Sequence, residues 1–225
     1  MKNQILAGLS ILVIFSLSAF CTMPNSPESL GDKGGVRKVN LVAPKGKAIA
    51  AFAEGCFWTS THIFEALKGV DSAIAGYAGG HKVLPTYEEV CTGETGHAET
   101  VLVYYDPKVI SYEDLVKAFF ASHDATTLNR QGNDVGEDYR SILYYANDME
   151  KHLAENTKAL LNKQRAGGAL IVTQILPLTT FYRAEDYHQH YAIHHPENPY
   201  IQAVSNPRFE NFARSFKGKI KPNVQ

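Results

Sequence analysis

Ala48-Ile49-Ala50-Ala51-Phe52-Ala53, with Gly55-Cys56-Phe57-Trp58 just beyond it, is the passage from which fold and chemistry both follow. The first six residues are apolar without a break, as in a strand covered on both faces. Past the glycine the period changes, and Ile63, Phe64 and Leu67 recur at helical spacing until Lys68-Gly69 ends the run. A strand therefore hands the chain to a helix, and Cys56 falls at the first helical turn. Unpaired backbone N–H groups and the positive end of the helix dipole favour thiolate over thiol there, so a partly formed nucleophile near neutral pH is expected. Phe57 and Trp58, the single tryptophan of the chain, wall the position with aromatic surface suited to a small, apolar, sulfur-bearing group. Taken alone, such a tetrapeptide is more often inert core.

Working outward, strands and helices alternate. Thr100 to Tyr105 reads as a strand closed by Asp106-Pro107. Ser111-Tyr112-Glu113-Asp114 reads as a capping box opening a helix whose inner face is Leu115, Val116, Phe119 and Phe120. Ser141 to Ala146 is a further strand, and Asn147 caps a helix carrying Leu153, Leu160 and Leu161, stopped by Gly167-Gly168. Leu170 to Leu176 returns as a strand. The pattern predicts an α+β domain with helices against a mainly antiparallel or mixed sheet.

The 225 residues hold one ordinary domain plus extensions. A net charge of -1 gives no footprint for nucleic acid or a polybasic membrane surface. Ile5 to Phe20 is an apolar run behind Met1-Lys2, short for a bilayer span and shaped like an export signal. It ends in Leu17-Ser18-Ala19-Phe20-Cys21, which resembles a bacterial lipoprotein signal with Cys21 acylated, although a small residue normally stands where Phe20 does. The expected organisation is an export signal at 1–21, a Pro/Gly/Ser-rich flexible tether at 22–46, a catalytic domain at 47–215 and a tail at 216–225. Location in the cell envelope or periplasm follows, with a possible lipid anchor.

Further motifs give the cysteine its context: Gly76-Tyr77-Ala78-Gly79-Gly80, Thr86-Tyr87-Glu88-Glu89-Val90-Cys91-Thr92-Gly93 and Thr95-Gly96-His97-Ala98-Glu99. Gln131-Gly132-Asn133-Asp134, Tyr139-Arg140-Ser141 and Ala184-Glu185-Asp186-Tyr187-His188-Gln189 follow. With Gly55 to Trp58, and in this order and spacing from about Ile49 to Tyr200, they resemble the A-type peptide-methionine sulfoxide reductases. The resemblance implies a two-layer sandwich with a ferredoxin-like core and thiol-dependent reduction of methionine-(S)-sulfoxide, protein-bound and possibly free. It implies no cofactor and no metal, and oxidised proteins as substrates of an enzyme expected to act as a monomer.

That chemistry needs a thiolate to attack sulfur, an acid to protonate the departing oxygen, donors to hold that oxygen and a pocket for the methyl group. Cys56 is the expected nucleophile, passing through a sulfenic acid. Cys91 is the rival, but the matching cysteine of relatives is a buried residue. Glu99 is the expected acid: in strand phase with Val101, Val103 and Tyr105, it is desolvated and holds a proton near neutral pH. Tyr87 and Tyr139 stand where the family grips the sulfoxide oxygen. Asp134 matches its supporting carboxylate, with an Asx turn as the other reading. Phe57 and Trp58 receive the methyl group, and His97 is structural.

The chain departs from the family pattern twice. Thr59 replaces a glycine, and its hydroxyl is expected to bond back to backbone. Pro199-Tyr200 is followed by Ile201, and no cysteine occurs after Cys91. An external thiol, thioredoxin-like or glutaredoxin-like or small, is therefore expected to resolve the Cys56 sulfenic acid. His188, His190, His194 and His195 read as a solvated cluster rather than a metal site. Two other classes stand beside the reductase: a Cys56/His97 thiol hydrolase or acyltransferase, and a tethered histidine-rich metal-binding lipoprotein.

Overall fold

The computed structural model describes residues 35–222. The expected export signal, Phe20 and Cys21 lie outside the described residues. A seven-stranded mixed sheet runs in the order β1-β9-β3-β4-β2-β7-β8. Its centre is β2 (Ala48–Glu54), β3 (Val70–Ala78), β4 (Ala98–Tyr105) and β7 (Ser141–Tyr145), all paired antiparallel. β8 (Gln174–Pro177) adds to β7 in parallel, while β9 (Phe181–Arg183) and β1 (Arg37–Lys38) close the other edge. The α+β expectation holds, and the sheet is mixed through the single β7–β8 pair.

Strand alternation sends the side chains of β2 to two cores. Ala50 and Phe52 face one with Val101, Val103 and Tyr105 of β4, while Ala51 and Ala53 face the other with Ala98 and Leu102. The first core is covered by α1 (Phe57–Glu65), α3 (Tyr112–Ser122) and α6 (Asn206–Ser215). Phe52 sits at its centre, stacked on Phe64 at 4.8 Å and on Phe119 at 5.5 Å. The second core is smaller and lies under residues 176–181 and Val39 and Leu41. Of the segment expected as a tether, the described part therefore meets the sheet: β1 pairs with β9 and the Val39 N–H donates to the Phe181 carbonyl.

Helix signals behave as their chemistry dictates. Ser111 accepts from the Asp114 N–H while the Asp114 carboxylate accepts from the Ser111 N–H, closing the expected capping box. Asn147 accepts from the Glu150 N–H and opens α4 (Asp148–Gln164). Differences concern extent and burial. The first helix stops at Glu65 rather than Lys68, because Gly69 turns the chain with φ of +100° toward β3. Leu160 is exposed on α4, which lies across the surface with Ala154 as its buried residue. The strand expected from Leu170 begins at Gln174. The described part of the expected tail is docked: Phe216 and Ile220 pack on the first core, and the Lys68 N–H donates to the Lys219 carbonyl. No helix among the described residues is long and apolar enough to cross a membrane.

Candidate active site

Cys56 is the N-cap of α1 and is buried. Gly55, at φ +90°, makes the turn that brings it there, and a Cβ on Gly55 would lie 2.6 Å from Gln131. The N-terminal amides of α1 are already engaged. Phe57 N–H donates to Glu99 Oε2 at 2.9 Å, and the Trp58 N–H acts on the Cys56 sulfur in the direction that favours thiolate. Ser60 and Thr61 return their hydroxyls to the carbonyls of Cys56 and Phe57, fastening the first turn.

The expected partly ionised thiol is corrected. Burial pushes the Cys56 thiol well above its ordinary range, and the carboxylates of Glu99 and Asp134 push it further. The Tyr200 hydroxyl and Trp58 N–H oppose that rise without cancelling it. The helix terminus loses because desolvation, the largest influence on the buried sulfur, outweighs one or two amide dipoles. The resting Cys56 side chain is a thiol.

Glu99 stands where its strand phase placed it, fully buried on the α1 side of β4. Burial raises its carboxyl well above the usual range, the Phe57 N–H partly offsets that, and Asp138 and Asp134 add to it. Burial thus favours the protonated, neutral form of Glu99. Tyr87, on the short helix α2 (Tyr87–Cys91), and Tyr139, in the 3₁₀ turn Glu137–Tyr139, both lie within the electrostatic reach of Cys56 and Glu99. Burial keeps both phenols protonated, hence donors.

Asp134 is brought to the same place, where its Oδ2 accepts from the Tyr200 hydroxyl at 2.5 Å. Tyr200 also meets the Cys56 sulfur. One phenolic proton cannot serve both partners. The Tyr200 hydroxyl therefore stands between Asp134, to which it donates, and the Cys56 sulfur. All seven expected site residues, Cys56, Phe57, Trp58, Tyr87, Glu99, Asp134 and Tyr139, thus share one region.

Trp58 stacks on Tyr191 at 3.9 Å and meets Tyr200 edge-on at 5.8 Å. Its indole N–H donates to His188 Nδ1 at 3.0 Å, leaving the proton of neutral His188 on Nε2. Burial pushes His188 down to about 3, so it stays neutral. The histidine cluster is therefore not one solvated group. His188 is wholly buried against Phe57, Tyr87 and Trp58, while His190 bonds Glu65 at the surface. Among the described residues no group of three or more His, Cys, Asp or Glu is placed to hold a metal ion.

Sequence reasoning left Tyr200, Asp138, Glu185 and His188 without a role. Glu185 accepts from the Tyr77 hydroxyl and the Tyr87 N–H, and Gln189 bonds both backbone groups of Ala75. The Ala184–Gln189 motif is thus the strap that ties Tyr87 to β3. A run of Glu, Tyr, His and Gln with no apolar period was the available signal, since such residues inside a fold need partners. Pro199-Tyr200 was visible too, as an aromatic step opposite the nucleophile.

Thr59 does not bond back to backbone as expected. Its hydroxyl donates to Ser205 Oγ at 2.7 Å and ties α1 to the C-terminal segment. His97 is structural: Nδ1 accepts from Gly80 N–H at 3.1 Å, and Nε2 lies 2.8 Å from the Lys82 carbonyl. With both ring nitrogens committed to backbone, it has no free nitrogen to serve Cys56 as a base. Cys91, expected as a buried residue, is half-buried; Cys56 is the free cysteine among the described residues.

Comparison with known proteins agrees with this geometry. The family profile described as peptide methionine sulfoxide reductase matches residues 48–220. The chain is 49% identical over 172 residues to a peptide methionine sulfoxide reductase MsrA of Pasteurella multocida, covering 76% of this chain and 94% of that one. Its fold is similar to that of reduced Mxr1 from Saccharomyces cerevisiae, with TM-score 0.65 and 33% identity over 71% of this chain and 94% of that one. It is similar also to methionine sulfoxide reductase A of Corynebacterium diphtheriae, with TM-score 0.62 and 36% identity over 69% of this chain and 78% of that one.

Proposed function

This chain belongs to the peptide methionine sulfoxide reductase family, and from that premise we propose how its residues reduce the S epimer of methionine sulfoxide. The observation that carries the reading is a buried thiol and a buried carboxyl of raised proton affinity on the same helix N-terminus, Cys56 capping it and Glu99 accepting its first N–H.

The methyl and thioether groups sit between Phe57 and Trp58, and the sulfoxide oxygen is held by the phenols of Tyr87 and Tyr139. Glu99 passes its proton to that oxygen, which makes the sulfur electrophilic. The resulting carboxylate takes the Cys56 proton as the thiol sulfur attacks, so the thiolate forms only when substrate is present. The oxygen leaves with Cys56 as a sulfenic acid, methionine is released, and Glu99 ends with one proton as it began. Sulfoxide sulfur is reduced and Cys56 sulfur is oxidised.

Recycling falls to an external thiol such as a thioredoxin-like or glutaredoxin-like protein. It displaces water from the sulfenic acid to form a mixed disulfide, and a second thiol releases Cys56. What supports this is the free Cys56 and the absence of any cysteine after position 91 in the sequence. Protein-bound methionine sulfoxide is the proposed substrate, free methionine sulfoxide a secondary one. Export to the cell envelope through the Ile5–Phe20 run is part of the same proposal. The enzymatic part is tested by turnover of the two separated sulfoxide epimers with dithiothreitol. The parent protein is expected to consume the S epimer alone and Cys56→Ser neither; equal turnover of both epimers, or an active Cys56→Ser, refutes it.

A further inference from the structure

Beside Gly55, the residue before Cys56, lies an ion pair that the chemistry above does not use. Glu54, the last residue of β2, is fully buried two positions before the nucleophile. Its Oε1 accepts from Arg208 Nη2 at 2.8 Å, and its Oε2 accepts from Ser122 Oγ at 2.5 Å. Arg208 Nε also donates to the Ser122 carbonyl at 2.8 Å, at the C-terminal end of α3. One guanidinium thus joins β2, α3 and its own helix α6, across a gap of 154 residues from Glu54.

The position of α6 matters to the reacting sulfur. The helix is continuous with the π-type turn Ile201–Ser205, and Tyr200 is the residue just before that turn. Tyr200 is the group that meets both the Cys56 sulfur and Asp134 Oδ2. Thr59 Oγ1 on Ser205 Oγ is the second tie between this segment and α1. Arg208 is also the cation acting on Asp134.

We propose that Arg208 is a positioning residue of the catalytic site, anchored on the buried Glu54 carboxylate so that α6 holds Tyr200, and through it Asp134, against Cys56. Arg208 acts in two ways. Its fork of Nε and Nη2 fixes the start of α6, which a single ammonium cannot do in the same geometry. Its charge opposes the rise that burial gives the proton affinity of Asp134, the acceptor of the Tyr200 hydroxyl. The groups facing Asp134 are Tyr200 before the π-type turn, Arg208 on α6, Cys56 at the head of α1, Glu99 on β4 and Asp138 in the 3₁₀ turn. Arg208 is the one cation among them, so its removal raises the proton affinity of Asp134.

The proposal rests on Cys56 being the reactive thiol, and its test separates the two. Arg208→Met alone strands a buried carboxylate and is expected to fold poorly. The informative variant is Glu54→Gln/Arg208→Met, which removes the pair as a neutral unit; Arg208→Lys is its companion. Urea unfolding is measured first, then the rate of Cys56 alkylation by iodoacetamide against pH, which needs no substrate, then kcat and KM against pH. The double variant is expected to fold with the parent's cooperativity, lose kcat by about 10-fold or more with KM changed far less, since small misplacements at a reacting centre are costly. Its kcat/KM at pH 5.5 relative to pH 7.5 is expected to fall by about 3-fold or more as Asp134 takes a proton more readily. Arg208→Lys is expected to restore the pH ratio but not the full kcat. A folded double variant with the parent's kcat, pH ratio and alkylation profile overturns the positioning role. If the double variant does not fold, an Arg208→Lys protein with the parent's kcat overturns it equally. Altered alkylation with no sulfoxide turnover in any protein, the parent included, sustains the positioning and defeats the reductase reading.

Discussion

Asp138→Asn is the perturbation whose size follows most directly from the structure. Asp138 is buried in the turn beside Tyr139, and burial together with nearby Asp134 lifts its carboxyl from 3.8 to about 6. The folded protein binds this proton more tightly than the unfolded chain does, so the group burdens the folded state as pH rises. That burden is absent well below 3.8 and complete above about 6. At 1.36 kcal/mol per pH unit the full burden is about 3 kcal/mol, and the part that develops between pH 4.5 and 7.5 is about 2 kcal/mol. Asparagine cannot ionise, so the stability gap between Asp138→Asn and the parent must change by that amount across the interval, whatever the amide itself costs. Urea unfolding at the two pH values measures it; with a slope near 2 kcal/mol/M the midpoint difference moves by about 1 M in favour of the variant at pH 7.5. The repulsion from Asp134 is already contained in that figure. A gap that stays flat between pH 4.5 and 7.5 refutes the reasoning.

Other expectations follow from the same contacts. Glu99 must be protonated to act, so kcat/KM of the parent falls as pH rises through its elevated value; Glu99→Gln should lose about 10²–10⁴ in kcat and show no such alkaline fall, read in a dithiothreitol-driven assay. His97→Gln should lower the thermal midpoint by loosening the Gly80–Lys82 turn while leaving the pH profile of Cys56 alkylation in place; a profile shift would make His97 a base after all. Ser111→Ala removes one half of a capping box and should cost about 1 kcal/mol in urea unfolding with kcat unchanged.

Local signals were legible because their physics is local. The apolar run of β2, the Ser111 and Asn147 caps and the phase of Glu99 on β4 each depend on neighbours a few residues away. β3 escaped notice because Gly and Ala fill half of it and its register is set by β4 and β9, with a bulge between Val70 and Ser72. Leu160 was misplaced because periodicity gives a helix an apolar stripe but not the depth to which it sinks.

The chain by itself determined which chemistry is available: a thiol at a strand-to-helix turn, aromatic walls beside it, and a carboxyl and two phenols in motifs of fixed order. Only the tertiary structure decided the state in which those groups wait. Ionisation depends on solvent exclusion and on charges brought near by chain closure, and both come from distant segments: Tyr200 over Cys56, Asp138 near Glu99, Arg208 on Glu54. A helix dipole can be read from spacing, but the desolvation that overrides it exists only once the polypeptide has folded around the sulfur.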